Sequence, residues 1–123
     1  MTNQKEIYKC ELCGSIVEVL HAGAGELVCC GQAMNLMSSK SVDDGKEKHL
    51  PFLDLSTVKI GEIPHPMTSE HYIEWVEVIY TDKTIKKNFK AEEGAILELD
   101  GIDNIQEIRS YCNVHGLWSL KIK

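Results

Sequence analysis

The sequence predicts a mainly β protein: a small cysteine-stapled N-terminal unit followed by a β-sandwich. Three observations lead there. Four of the five cysteines, Cys10, Cys13, Cys29 and Cys30, fall within the first 30 residues. Residues 38–46, Ser-Ser-Lys-Ser-Val-Asp-Asp-Gly-Lys, form a polar, turn-prone linker after them. Beyond residue 47, short runs of β-branched and aromatic residues are separated by turn signals, and no helix-length amphipathic pattern is secure.

The first unit, residues 1 to about 36, is too short to bury a useful core, and segments of that size need a metal or disulfides. In the second part, Tyr72 to Tyr80 favours a strand, although Glu74 and Glu77 fall on opposite faces of it. The basic stretch Lys83 to Lys90 reads as a solvated strand or turn. Ala95 to Leu99 is a short strand between Gly94 and Asp100-Gly101. Ile105 to Arg109 is ambiguous, because the spacing of Ile105 and Ile108 also fits a helix. Gly116 to Ile122 alternates, with Trp118, Leu120 and Ile122 on one face. Several short strands of this kind suggest a β-sandwich.

The bulk numbers exclude several classes. The chain has 123 residues, 43% of them hydrophobic and 26% charged, so a folded domain is expected rather than a disordered tail. No apolar run approaches the roughly 20 residues that span a bilayer. No apolar signal core follows the N-terminus, so a cytoplasmic location is expected. In a reducing compartment, clustered thiols read as metal ligands or catalytic groups rather than disulfides. The formal net charge of −6 argues against a nucleic-acid binder.

Cys10-Glu11-Leu12-Cys13-Gly14 is a Cys-x-x-Cys turn, and Cys29-Cys30-Gly31 supplies a second pair. Four thiolates favour a soft tetrahedral site for iron or zinc, and the spacing does not choose between the two metals. Neighbouring side chains of a regular strand point to opposite faces, so both thiols of the adjacent pair reach one metal only where the backbone bends. Gly31 favours that bend, and a distorted tetrahedron is the expectation. His21 reads as a surface residue, and Gly23-Ala24-Gly25 as a turn.

The remaining metal-capable residues gather in three motifs: Glu47-Lys48-His49-Leu50-Pro51, His65-Pro66-Met67-Thr68-Ser69-Glu70-His71, and Cys112-Asn113-Val114-His115-Gly116. Pro51, Pro66 and Gly116 mark bends, which places these residues on loops at strand ends. Four histidines and one cysteine exceed the four ligands of a structural zinc site; they suit iron with one position left open. A Cys112–His115 nucleophile and base is the competing reading, but it leaves His49, His65 and His71 without a role.

In this order, Cys-x-x-Cys, Cys-Cys, Glu-Lys-His-x-Pro, His-Pro-Met-x-x-x-His and Cys-Asn-x-His-Gly, the motifs resemble those of the desulfoferrodoxins, the two-iron superoxide reductases. The resemblance runs from Tyr8 to Trp118. It implies a rubredoxin- or desulforedoxin-like iron domain over residues 1–37 and an immunoglobulin-like β-sandwich with the catalytic iron over 38–123. Cys10, Cys13, Cys29 and Cys30 match the ligands of the first iron. His49, His65, His71 and His115 match the equatorial ligands of the second, and Cys112 its axial thiolate. Glu47 matches the carboxylate that closes the open position in the oxidised resting state, and Lys48 the cation beside it. The implied reaction is one-electron reduction of superoxide to hydrogen peroxide, with rubredoxin or a similar protein as electron donor and a homodimer as the assembly. A non-catalytic electron-transfer iron protein is the alternative.

Overall fold

In the computed structural model, residues 1–39, 50–60 and 67–122 are described. The chain forms two compact units, Met1–Ser38 and Ser39–Lys123. The described residues contain strands, turns and bends but no helix, and so no helix long and apolar enough to cross a membrane.

The first unit is built from five very short strands. β1 (Ile7–Lys9) pairs with β2 (Ile16–Glu18) in register Lys9↔Ile16, and with β5 (Asn35–Leu36) in register Tyr8↔Leu36. β3 (Val28–Cys29) and β4 (Gln32–Ala33) form a separate hairpin. Little apolar surface is covered. Ile7, Cys10 and Val19 are buried, whereas Leu12, Leu20, Val28 and Leu36 stay exposed. This is the poor core that the segment's length implies, so ordering here depends on what the cysteines hold.

The described residues of the second unit form two antiparallel sheets. β6 (Pro51–Asp54), β7 (Thr57–Ile60) and β10 (Ile96–Glu98) form one, in the order β10-β7-β6. β8 (Ile73–Tyr80), β9 (Thr84–Asn88), β11 (Ile105–Cys112) and β12 (Gly116–Lys121) form the other, in the order β12-β11-β8-β9. Val58 and Ile60 of the first sheet join Ile73, Val76, Val78, Tyr80, Ile105, Ile108 and Cys112 of the second in one core, with Leu53 and Leu97 packed against it. Burial of this apolar layer between two sheets is the sandwich arrangement.

The opposite face of the larger sheet is also covered. Trp75, Glu77, Arg109, Tyr111, Leu117 and Ser119 are all buried. Strand register lines up Lys86, Glu77, Arg109 and Ser119 across all four strands. Arg109 Nε donates to Glu77 Oε1 at 2.8 Å, its Nη2 bonds the same oxygen, and Lys86 Nζ lies 3.6 Å from Glu77 Oε2. In the next row Trp75 stacks on Tyr111, and Lys86 caps the indole at 4.6 Å. The ion pair lets two strand positions carry charge where burial would otherwise forbid it.

Some elements differ from what the sequence alone suggests. Ile105 to Arg109 is strand, part of β11, and not helix. Residues 51–60, which carry no clear strand signal, form the β6–β7 hairpin. Trp118 is 1% exposed, but the alternation ends before Ile122, which follows β12 and is 41% exposed.

Candidate metal centres

The first centre sits where two turns of the N-terminal unit meet. β1 delivers Cys10, which is buried, into a turn closed by the Gly14 amide donating to the Cys10 carbonyl at 2.8 Å. Gly14 takes φ 83°, so the chain reverses into β2 just past Cys13. On the other side, β3 and β4 are joined by the two-residue loop Cys30-Gly31, in register Cys29↔Gln32. Both loop residues have positive φ, 54° and 79°, the combination a type I′ hairpin turn demands. This is the bend the adjacent cysteine pair requires. It turns Cys30 back so that both sulfurs face one point.

All four Sγ atoms lie within 4.8 Å of one another. Cys13 and Cys29 Sγ are 3.6 Å apart, and Cys29 and Cys30 Sγ are 3.9 Å apart. A tetrahedron with metal–sulfur bonds of about 2.3 Å has edges of roughly 3.8 Å, so the thiols are spaced as ligands of one ion. They are too far apart for a disulfide, and none of the five cysteines is disulfide-bonded.

The electrostatics agree. Ser15, whose hydroxyl lies 3.2 Å from Cys13 Sγ, stabilises the thiolate through its hydroxyl and its backbone and draws the Cys13 pKa down to about 6. Cys29 is pushed up to about 12, chiefly by its neighbour Cys13, and Cys30 is raised for the same reason. One anion forms readily here, and the next resists without a cation among them. A bound metal reverses that resistance and deprotonates the whole set.

The second centre joins two loops of the sandwich. Cys112 ends β11, is fully buried, and lies in the core. His115 follows on the β11–β12 loop, which Gly116 closes at φ 87°. The His115 amide donates to Cys112 Sγ at 3.4 Å, and His115 Nδ1 is 3.8 Å from the same sulfur. His71 arrives from the segment before β8, where its amide donates to the Thr68 carbonyl across a tight turn. Its ring meets that of His115 edge-on, with centroids 5.0 Å apart. Ligand atoms of His71, Cys112 and His115 all lie within 4.8 Å of one another. Two imidazoles and a buried thiol aimed at one point fit a borderline metal such as iron.

His49, His65, Glu47 and Lys48 lie outside the described residues. Two further residues have a place at the centres that the motifs did not announce. Ser15 tunes Cys13 from the position just past the Cys-x-x-Cys-Gly turn. Asn113, inside the third motif, bonds both neighbours of His71: the Tyr72 amide donates to its Oδ1 at 2.9 Å, and its Nδ2 donates to the Glu70 carbonyl at 3.0 Å. His21, which the sequence leaves as a surface residue, is exposed.

An all-β chain with a four-thiol cluster on a small N-terminal unit and a thiol–imidazole cluster at the end of a sandwich defines a class of protein with two candidate metal centres. Comparison with known proteins makes the class specific. Residues 2–37 match the model of the desulfoferrodoxin N-terminal domain, and residues 41–121 match that of desulfoferrodoxin. The chain is 46% identical over 123 residues to a desulfoferrodoxin of Syntrophotalea carbinolica, covering 97% of this chain and 98% of that one. It is 47% identical over 122 residues to a desulfoferrodoxin homolog of Archaeoglobus fulgidus, covering 96% and 98%. The crystal structure of the superoxide reductase from Treponema pallidum has the same fold, with a TM-score of 0.76 at 24% identity over 94% of this chain and 97% of that one. The chain belongs to the desulfoferrodoxin family.

Proposed function

We propose that this desulfoferrodoxin is a superoxide reductase, taking superoxide, one electron and two protons to hydrogen peroxide. The observation that carries the reading is the convergence of Cys112, His71 and His115 at one point of the sandwich, in a chain of this family. His71, Cys112 and His115, together with His49 and His65, would hold an iron, which when bound would supply the one-electron chemistry toward superoxide. Cys10, Cys13, Cys29 and Cys30 would hold a second iron, and the four thiols' spacing supports that ligand set. Residues 1–37 form the four-thiolate iron domain and 38–123 the catalytic one.

The protein's own groups do the rest. The Cys112 thiolate, held by the His115 amide, is the charge-donating ligand. Lys48 attracts the anionic substrate and steadies the charge on its oxygens. Glu47 would offer its carboxylate to the iron once product has left. The electron donor is rubredoxin or a protein like it, the assembly is a homodimer, and the compartment is the reducing cytoplasm that free thiols favour.

The test is reaction of the iron-loaded, reduced protein with pulse-generated superoxide. Reduction gives one peroxide per superoxide and no oxygen, whereas dismutation gives half as much peroxide plus oxygen. Cys112→Ser is expected to slow the reaction by at least about a hundredfold, roughly 2.7 kcal/mol in the barrier, with the four-thiolate iron spectrum unchanged. An iron-loaded wild type that leaves superoxide untouched would instead favour a pure electron-transfer protein.

A further inference from the structure

We propose that Asn113 is a positioning residue of the second metal centre, one that fixes His71 against Cys112 and His115 by clamping the backbone on both sides of His71. The proposal rests on reading those three residues as ligands of one metal.

The clamp has three bonds. Asn113 Oδ1 accepts from the Tyr72 amide at 2.9 Å, and Nδ2 donates to the Glu70 carbonyl at 3.0 Å. The Asn113 amide itself donates to the Tyr72 carbonyl at 3.2 Å. The first two bonds flank His71 in the chain, and all three reach it from the residue next to Cys112. The partners lie 41 and 43 positions away, so nothing local brings them together.

Other bonds hold the segment before β8 as well: the Glu92 amide bonds the Met67 carbonyl, and Met67 packs against the core. Thr68 and His71 exchange backbone bonds at 3.0 and 3.3 Å, and the Thr68 hydroxyl adds two more to His71. These set the shape of the turn but not its place relative to Cys112. The β8–β11 ladder helps only as far as Ile73↔Cys112, and its register shifts just before that pair, between Tyr111 and Cys112. A bulge there frees the end of β8 from the regular pleat. The carboxamide therefore takes over where the ladder stops.

The chemistry is selective for asparagine. The clamp must accept from one peptide and donate to another. A carboxamide does both, and this requirement fixes which end carries the oxygen. An aspartate keeps the bond to Tyr72 but turns an oxygen toward the Glu70 carbonyl, and it adds a negative charge beside a thiolate.

The test uses the full-length protein loaded with iron and, separately, with cobalt(II). Wild type, Asn113→Ala, Asn113→Asp and His71→Ala are compared by three measurements. These are metal affinity of the second centre in competition with a chelator, the thiolate-to-metal charge-transfer band, and thermal unfolding of the metal-free protein. Asn113→Ala is expected to lower affinity at that centre about ten- to a hundredfold, the usual effect of losing a group that orients a metal-binding histidine. It should also shift the band and leave the four-thiolate centre unchanged. Asn113→Asp is expected to fall between wild type and Asn113→Ala, and it carries the test alone if the alanine variant does not fold. A metal-free protein that melts lower, with affinity and band as in wild type, shows a merely structural asparagine and overturns the proposal. Wild-type affinity and band in Asn113→Asp overturn the need for the Nδ2 donor. His71→Ala separates the two readings. If it too binds metal normally, the ligand assignment has failed; if it loses metal while Asn113→Ala does not, only the positioning role has.

Discussion

Cys30 adopts φ 54°, a left-handed conformation that costs a non-glycine residue on the order of 1–2 kcal/mol. The cost is tolerated because a regular strand would send the Cys30 thiol away from Cys29, and a four-thiol site needs both. The same scale governs Lys48. The chain carries a net charge of −6, which repels an anionic substrate at long range. A cation beside the reacting position, the role proposed for Lys48, would offset that repulsion where it matters. Lys48→Ile is therefore expected to slow the second-order reaction with superoxide about tenfold or more, roughly 1.4 kcal/mol, with metal content unchanged. The wild-type rate should fall with added salt, since such attraction is screened over roughly 8–10 Å at physiological ionic strength. The variant should lose much of that dependence. Stopped-flow rates at several salt concentrations measure both, and an unchanged rate with full iron would make Lys48 a solvated surface residue.

Strand register explains both the ion pair in the larger sheet and the places where the sequence misleads. Glu77 is 1% exposed and shares its carboxylate with Arg109 from the neighbouring strand. Removing one partner of a buried pair strands the other charge, so Glu77→Ala should cost about 3 kcal/mol in urea unfolding. Asp54→Ala, which breaks an exposed pair with Lys59, should cost under about 1 kcal/mol. Equal losses would mean that burial does not set the worth of these pairs. The helix-like spacing of Ile105 and Ile108 has its cause in the same ladder. Ile105 pairs with Tyr80 and Glu107 with Ile79, so the register skips Gln106 and both isoleucines enter the core. A skip at Glu74 does the same for Ile73 and Val76, which is why the alternation from Tyr72 to Tyr80 looked imperfect. Periodicity reads a regular strand and is blind to a bulge. The β6–β7 hairpin was hidden for another reason: its turn is Leu55-Ser56, with Leu55 at φ 57° where glycine or asparagine is expected. The cysteine motifs were legible because a ligand set is written in residue types. The role of Asn113 was not, because a clamp across 41 positions shows only when the chain is folded.

The two units differ in what holds them together, and that difference predicts how the molecule responds to losing its metals. Met1–Ser38 buries only Ile7, Cys10 and Val19 among its apolar side chains, and one of these is a candidate ligand. So small a core cannot offset the entropy of ordering nearly forty residues, roughly 1–2 kcal/mol each for the backbone alone. A metal gripped by four thiolates can, because its binding free energy becomes folding free energy in such a unit. Ser39–Lys123 instead closes two sheets over a shared core in which Ile73, Val76, Val78 and Ile108 are fully buried. Its candidate metal centre lies at the end of that sandwich, whose core is built from apolar residues of both sheets. Stripping both metals under reducing conditions should therefore melt the first unit and spare the second. Hydrogen exchange read by mass spectrometry is expected to show residues 1–38 exchanging at close to the unfolded rate in the metal-free protein. The amides of β8 and β11 should keep their protection, with local loosening confined to the loops of His71 and His115. Readdition of zinc, which suits a four-thiolate site as well as iron does, should restore protection of residues 1–38 even where the second centre stays inactive. Protection of the first unit that survives metal removal would mean that its strands hold one another without the four thiols' help.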